Sequence, residues 1–252
     1  DVYFYQVGQR LGVNRIAKYA TRLGLGRKTG VEMEHEKSGL IPTSDWKMRR
    51  YNKPWQEGET LSVAIGQGFD LVTPLQLALM TAAVANGGIL YRPGMIETVR
   101  DPDGHIIERF EPTIQDRFGD QAHNIQVIKE GLIEAVNGRR GTARRAKLEK
   151  ITVAGKTGTA QVVRLKQYKH LKEKDIPYKY RDHAWFTCFA PAEKPEIAVT
   201  VLVEHGLHGG SGAAPIAKAV LEKYFADRFK KPEEAEKFSE SSLDAPLIIE
   251  GD

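Results

Sequence analysis

Three stretches rich in β-branched and aromatic residues follow one another in the second half of this 252-residue chain. They cover residues 153–163, 183–190 and 197–204, and each has the length of a strand. A helix is predicted after them, from about Ala213 to Phe229. Its apolar stripe consists of Ile216, Val220, Leu221, Tyr224 and Phe225. Consecutive strands followed by a helix predict an α+β fold with an antiparallel sheet flanked by helices.

The preceding part of the chain is predicted to be mainly helical. The predicted helices are 13–23, 74–86 and 125–136. The second is the clearest, because Thr73 is a candidate N-cap, Pro74 occupies the first helical position and Gln76 supplies the reciprocal capping partner. Residues 24–58 are punctuated by glycine and proline and show too little periodicity for a long element.

Composition and charge define the class of protein but not its partner. Hydrophobic residues make up 41% and charged residues 28% of the chain, as in an ordinary globular protein. No apolar run has the length that a bilayer span needs, which excludes an anchor within this chain only.

Charge is distributed unevenly along the chain: residues 231–252 carry a net charge of −5, leaving +9 for residues 1–230. We expect the acidic end to be disordered and residues 1–230 to fold. A basic body suits nucleic acid, an anionic membrane surface or an anionic substrate.

Lys156, Thr157, Gly158 and Thr159 lie within the first predicted strand. At an exposed sheet edge, an extended peptide can add itself as a further strand, and Gly158 places no side chain in its way. The hydroxyls of Thr157 and Thr159 can bind a terminal carboxylate, while the Lys156 ammonium raises the local positive potential. The Thr159 N–H is a candidate oxyanion donor for acyl transfer. A solvated strand with a surface lysine is the alternative interpretation of this triplet alone.

Other candidate sites have weaker support. A second Lys-Thr-Gly, at residues 28–30, follows a helix stop with no strand leading in, so we interpret it as a turn. Ser44 and Lys47 match a Ser-x-x-Lys nucleophile pattern, but no apolar helix surrounds them, and a helix N-cap or loop serine is the better interpretation. His205 and His208 lack a third and fourth ligand at suitable spacing, so no metal site is expected.

Two further features have ordinary structural explanations. The single Cys188 lies in an apolar run and is expected to be a buried filler rather than a reactive thiol. The basic segment 139–147 is a candidate phosphate-binding loop. Because no aromatic platform is interleaved with it, nucleic-acid binding is disfavoured and no nucleic-acid partner is expected.

Eight segments occur in the order found in one known family. They are 1–6, 23–30, 62–68, 72–78, 85–88, 154–161, 182–186 and 213–217. Together they resemble the transpeptidase domain of the class B penicillin-binding proteins, of the elongation type, over nearly the whole length to about Tyr224. The resemblance places the family's active-site Lys-Thr-Gly at Lys156 rather than at Lys28.

The resemblance implies a penicillin-binding-protein/β-lactamase-like transpeptidase fold and a serine acyl-transfer reaction. An active-site serine would attack the D-Ala-D-Ala bond of a peptidoglycan stem peptide, and the amine of a neighbouring chain would resolve the acyl-enzyme. β-Lactams would acylate the same serine. By this match Lys156 is the electrostatic and proton-relay lysine, and Thr157, Gly158 and Thr159 form the substrate-binding edge. No cofactor is expected.

The resemblance also implies that part of the machinery lies upstream. The family's second motif, Ser-x-Asp, would end at Asp1, and its nucleophile motif, Ser-x-x-Lys, would precede Asp1. Residues 1–230 would then be the C-terminal part of the domain, incomplete at its N-terminus and inactive alone. The family further implies a periplasmic domain of an inner-membrane protein that works beside a glycan polymerase. A D,D-carboxypeptidase or β-lactamase-like hydrolase, or a non-catalytic peptidoglycan-binding protein, are the alternatives.

Overall fold

The computed structural model describes residues 1–162 and 175–226. The helices are α1 (Val2–Leu11), α2 (Val13–Arg22), α3 (Ser44–Tyr51), α4 (Glu57–Val63), α5 (Pro74–Ala85), α6 (Ala122–Asn137) and α7 (Ala214–Phe225). The strands are β1 (Ile89–Tyr91), β2 (Thr98–Arg100), β3 (Ile106–Arg109), β4 (Ile114–Arg117), β5 (Ala154–Ala160), β6 (His183–Ala190) and β7 (Ile197–Val203). The tail 231–252, predicted to be disordered, and the predicted boundary at residue 230 lie outside the described residues.

The main sheet is antiparallel, with the strand order β5-β6-β7. Its register sets Lys156 opposite Thr187, which is in turn opposite Thr200. The three β-rich runs of the sequence therefore form one sheet, as predicted. Strand β5 is shorter than expected, and position 163 of that prediction lies outside the described residues. The predicted α+β class is confirmed.

The two faces of this sheet are covered by different helices. On one face, Phe186 and Cys188 pack with Leu221 and Phe225 of α7 in the largest buried cluster. On the other face, α5 contacts β6 and β7. There the Thr187 hydroxyl lies 2.6 Å from the Thr81 hydroxyl of α5. The alternation of side chains along each strand thus builds a layer of helix on both sides of the sheet.

The predicted apolar stripe of the last helix is partly wrong. Leu221 and Phe225 are buried, but Ile216, Val220 and Tyr224 are 46%, 43% and 52% exposed. The buried face is completed instead by small residues, Ala214 and Ala217. Because alanine allows the helix to approach the sheet closely, side-chain size was a poor guide to its orientation.

The helices predicted in the first half are present, with differences at their ends. Helix α5 has the expected capping box, in which the Thr73 hydroxyl accepts the Gln76 N–H and the Gln76 side chain accepts the Thr73 N–H. Sequence analysis did not predict α1, α3, α4 or the strands β1–β4. These four short strands form two separate antiparallel pairs, β1 with β4 and β2 with β3. None of the helices in the described ranges combines the length and apolar character that a membrane span requires.

Gln76 does more than cap α5. Its side chain is fully buried, and its amide nitrogen donates to the carbonyls of Arg27 (2.7 Å) and Ser38 (2.8 Å). Its amide oxygen also accepts the Gly26 N–H at 3.4 Å. The irregular segment between α2 and α3 is therefore held against α5 by one amide group.

Replacing this amide should destabilise the domain. Gln76→Ala leaves two buried carbonyls without their donor and removes the cap, so we expect a loss of about 2–4 kcal/mol in the free energy of unfolding. Gln126→Ala on the exposed side of α6 is the matched control and should change it by less than about 0.5 kcal/mol. Urea denaturation followed by circular dichroism measures both. Equal effects of the two substitutions would contradict the role given to Gln76.

Candidate active site

Strand β5 lies at the margin of the main sheet. It pairs with β6 along one side, and among the described residues no strand pairs with its other side. Ala154 and Gly155 at its start are buried, whereas Lys156 is exposed and the next three residues are half-buried. The second half of β5 thus offers an unpaired edge, as an added peptide strand requires.

Two main-chain carbonyls show which way this edge faces. The Thr159 carbonyl accepts a 2.7 Å hydrogen bond from Gln67 Nε2, and the Thr157 carbonyl accepts one of 2.9 Å from Lys156 Nζ. Both main-chain groups of a residue in an antiparallel strand point to the same side. The N–H groups of Thr157 and Thr159 therefore face the unpaired edge, where the Thr159 N–H stays a candidate oxyanion donor.

Two glycines, Gly158 on β5 and Gly209 before α7, allow neighbouring groups to pack closely against β5. A Cβ on Gly158 would lie 3.1 Å from Cβ of Trp185, its neighbour on β6. A Cβ on Gly209, in the π-helical turn Gly209–Ala213, would lie 2.6 Å from the Gly158 carbonyl oxygen. The turn before α7 therefore rests directly on the strand that carries the candidate site.

Lys156 supplies a cation beside this edge. The residue is exposed over much of its surface, but its ammonium end contacts the Thr157 carbonyl. Partial desolvation there lowers the pKa of Lys156 below its ordinary value. Within the described ranges no carboxylate forms an ion pair with Lys156, so its charge is available to an anionic ligand.

The Thr157 hydroxyl has a partner that sequence analysis missed. It donates to the hydroxyl of Thr142 at 3.2 Å. Thr142 belongs to the basic segment 139–147, which is anchored by the fully buried Ala143 and Ala146. The contact brings this segment to the side of β5, although no feature of the sequence paired the two. Binding of phosphate by the segment stays a prediction.

A cavity of about 500 Å³ adjoins the end of β5. Its polar lining residues are Gln67, Asp70, Thr159, Gln161 and His183. Much of the remaining wall is apolar, from Leu25, Ile41, Ile65, Leu71, Val72 and Leu77. Gln67 connects the cavity to the strand, because its side chain bonds the Thr159 carbonyl.

Asp70 is the second residue that sequence analysis missed. Its Oδ1 atom is buried and has no hydrogen-bond partner among the described residues. Burial raises the pKa of Asp70 to about 7. The only sequence signal was a lone carboxylate between Phe69 and Leu71.

Asp1 is the remaining predicted site residue. Asp1 is exposed at the N-cap of α1, makes no capping hydrogen bond and does not line the cavity. Lys156, Thr157, Gly158 and Thr159 are therefore brought together on β5. No described contact joins Asp1 to them.

The Ser44–Lys47 pattern does not form a nucleophile pair. The segment forms the polar helix α3 rather than an apolar one, as expected, but Ser44 is its first residue and Thr43 is the N-cap, so the interpretation of Ser44 as an N-cap or loop serine is wrong. The Lys47 ammonium binds the Glu59 carboxylate, while the Ser44 hydroxyl contacts Asn14. The two side chains are thus engaged by different partners, which supports rejecting Ser44 as a nucleophile.

The remaining candidates have structural explanations. Cys188 is fully buried, and burial raises the pKa of its thiol to about 12, as suits an inert filler. The main-chain N–H of His205 donates to His183 Nδ1 at 2.9 Å, and the ring Nδ1 of His205 lies 3.0 Å from the Arg181 carbonyl. The Lys-Thr-Gly at 28–30 is irregular rather than a turn; it follows the turn at 23–26, and Gly30 has φ +81°.

Comparison with known proteins places this geometry in context. Residues 1–222 match the family described as the penicillin binding protein transpeptidase domain. The chain is 36% identical over 236 residues to the peptidoglycan D,D-transpeptidase MrdA of Haemophilus influenzae, covering 92% of this chain and 36% of that protein. It spans about a third of the length of the curated relatives it matches.

Solved structures show the same fold. One is the complex between PBP2 and MreC from Helicobacter pylori, with a TM-score of 0.73 and 37% identity, over 89% of this chain and 38% of that one. Another is the penicillin G acyl-enzyme complex of penicillin-binding protein A from M. tuberculosis, with a TM-score of 0.66 and 29% identity. That match covers 87% of this chain and 45% of the other.

The pKa of Asp70 predicts a pH-dependent cost to stability. Because its folded pKa of about 7 exceeds the ordinary 3.8, the folded state binds the proton more tightly. Stability should therefore fall as pH rises from about 4 through about 7 and level off above. Asp70→Asn removes this loss of stability. The difference in melting temperature between this variant and wild type should therefore grow, in favour of the variant, from pH 5 to pH 8. Asp103→Asn, at an exposed turn, is the control. A pH-independent difference for Asp70→Asn would contradict the burial of a costly charge.

Proposed function

This chain belongs to the penicillin-binding protein transpeptidase family, and we propose that it forms part of a peptidoglycan D,D-transpeptidase. The proposed reaction cross-links stem peptides through a serine acyl-enzyme. The unpaired edge of β5, with the Thr159 N–H directed outward and Lys156 beside it, is the observation that carries this proposal. The relatives named peptidoglycan D,D-transpeptidase support it.

The edge of β5 supplies three functions to such a reaction. The donor peptide adds to the strand, and the hydroxyls of Thr157 and Thr159 bind its terminal carboxylate. The Lys156 ammonium attracts that carboxylate and, with its lowered pKa, exchanges protons more readily than an ordinary lysine. The Thr159 N–H stabilises the oxyanion formed when the serine attacks the D-Ala-D-Ala carbonyl.

The serine itself is proposed to come from sequence upstream of Asp1. The Ser44–Lys47 geometry supports this assignment, since neither side chain is free to act with the other. Asp1 would then end the second motif of the family. After D-alanine leaves, the amine of a neighbouring stem peptide attacks the ester and the cross-link forms.

β-Lactams are proposed to acylate the same serine. The penicillin G acyl-enzyme of the related M. tuberculosis protein supports this. We propose that the protein works at the periplasmic face of the inner membrane and that its membrane anchor lies outside this chain. We also propose a glycan polymerase of the elongation machinery as partner; the family resemblance supports both. The H. pylori relative has been seen in complex with MreC.

Lys156 can be tested against a second lysine in the same tripeptide context. In this chain extended by its upstream sequence, Lys156→Ala should slow acylation by a fluorescent penicillin at least about 100-fold, because the cation at the edge is lost. Lys28→Ala alters the other Lys-Thr-Gly, which lies in an irregular segment, and should leave the rate unchanged. A Lys156→Ala rate like that of wild type would remove this lysine from the mechanism.

The source of the nucleophile can be tested by labelling two chain lengths. The chain with its upstream sequence should be labelled by fluorescent penicillin, and residues 1–252 alone should not, because no described serine is paired with a lysine. Mass spectrometry of the labelled peptide identifies the modified residue. Label on Ser44 would show that its rejection as the nucleophile is wrong.

A further inference from the structure

The unpaired edge of β5 is occupied at one point by a side chain of the same protein. Gln67 Nε2 donates to the Thr159 carbonyl at 2.7 Å, and Gln67 Oε1 lies 3.5 Å from the main-chain nitrogen of Gln161, which follows β5 directly. In an extended strand, the main-chain groups of residues two apart face the same side. The Gln67 amide therefore takes the place that one residue of an added strand would have at this point.

A tight turn after α4 brings Gln67 to this edge. Gln67 lies between Gly66 and Gly68, which have φ of +73° and +77°, a left-handed conformation that other residues rarely adopt. The main-chain N–H of Gln67 donates to the Ser62 carbonyl of α4 at 3.0 Å. The turn is thus held by its own main chain, and the half-buried Gln67 side chain is not needed to form it.

Antiparallel pairing shows which group of a donor peptide competes with Gln67. Two residues that form a hydrogen-bonded pair in an antiparallel ladder exchange both of their N–H···O bonds. A donor whose scissile carbonyl accepts the Thr159 N–H therefore directs the N–H of that same residue at the Thr159 carbonyl. This is the carbonyl that Gln67 binds.

The Thr157 carbonyl, which Lys156 Nζ binds at 2.9 Å, does not create the same conflict. In antiparallel pairing the donor residue after the scissile carbonyl lies opposite Gly158. For a donor that ends in D-alanyl-D-alanine this is the last residue, so the donor has no N–H to place at Thr157. Gln67, and not Lys156, therefore competes with the donor for a main-chain acceptor.

We propose that Gln67 is a specificity-determining residue, which binds the Thr159 carbonyl in the free protein and releases it to the amide N–H of the donor. This inference rests on the proposed transpeptidase function. It identifies the favoured class of donor: acyl donors with an N–H on the residue that carries the scissile carbonyl. Such a donor replaces the hydrogen bond that it breaks, whereas a group of similar size without an N–H leaves the carbonyl without a partner.

The exchange also limits how much the donor gains from this contact. One hydrogen bond from Gln67 is lost for each bond that the donor forms, so the net gain is close to zero while the Gln67 amide is present. Without that amide, the donor gains the whole net contribution of a hydrogen bond. That contribution corresponds to about a fivefold change in a rate or equilibrium constant.

Two β-lactams that differ at one carbon test the exchange on the chain with its upstream sequence. Penicillin G carries an acylamino N–H on the carbon next to its β-lactam carbonyl, whereas penicillanic acid has only hydrogen there. Gln67→Met removes the amide and keeps a side chain of similar length. It should raise the second-order rate constant of acylation by penicillin G about fivefold and leave that of penicillanic acid within about twofold of wild type.

Two further variants complete the comparison. Gln67→Ala also removes the amide and should give the same pattern as Gln67→Met. Gln126→Met, on the exposed side of α6, makes the same substitution away from the edge and should behave as wild type with both β-lactams.

The wild-type protein allows a direct measurement that does not depend on any variant being stable. With ¹⁵N-labelled glutamine, one side-chain amide resonance should shift on acylation by penicillin G and stay in place on acylation by penicillanic acid. Its absence from the spectrum of Gln67→Met assigns it to Gln67. Glutamine side-chain resonances that respond to neither β-lactam would overturn the exchange.

The rates separate the exchange from a structural role and from its premise. If Gln67 only supported β5, its loss would slow both β-lactams, lower the melting temperature and leave the ratio of the two rates unchanged, which would overturn the proposal. An unchanged rate with penicillin G in both Gln67 variants would overturn it as well. A wild-type protein that neither β-lactam acylates would instead overturn the proposed transpeptidase function.

Discussion

One-sided pairing of β5 is the constraint on which the site depends. Hydrogen bonds to β6 fix the strand along one edge, and α6 packs against it while α5 and α7 cover the neighbouring strands. Among the described residues no strand pairs with the other edge, so the N–H of Thr159 has a fixed direction without a strand partner there. Preorganised donors of this kind stabilise developing charge without reorganising.

Two side-chain amides position the segments that surround this sheet. Gln67 contacts the carbonyl of Thr159 directly, while Gln76 holds the irregular segment after α2 against α5. The same segments supply much of the wall of the cavity that contains Asp70. The position of the unpaired β5 edge and the shape of its neighbouring cavity therefore both depend on these segments.

Features of the fold that depend on local chemistry could be predicted from the sequence. Strand β6 has the predicted bounds because its apolar run is continuous, and α5 was predicted through its capping box. Helices α3 and α4 were missed because they are polar and short, and their stability comes from contacts such as Lys47 with Glu59. The face of α7 was misjudged because alanine, not the larger side chains, meets the sheet.

In the candidate site, the residues on strand β5 could be predicted from the sequence, but the residues that contact them could not. Lys156 to Thr159 are adjacent in sequence, so their chemistry is visible in a single motif. Thr142, Gln67 and Asp70 come from distant segments, and only the folded chain shows that they lie beside β5. In particular, no sequence pattern reports that Asp70 Oδ1 is buried with no hydrogen-bond partner in the described part of the chain.

A crystal structure of the penicillin G acyl-enzyme, solved with the upstream sequence present, tests the central claim most directly. We expect the acyl carbonyl oxygen within about 3 Å of the Thr159 nitrogen and the penicillin carboxylate at the hydroxyls of Thr157 and Thr159. An acyl group held by other donors, with the edge of β5 covered by packed side chains, would contradict the account.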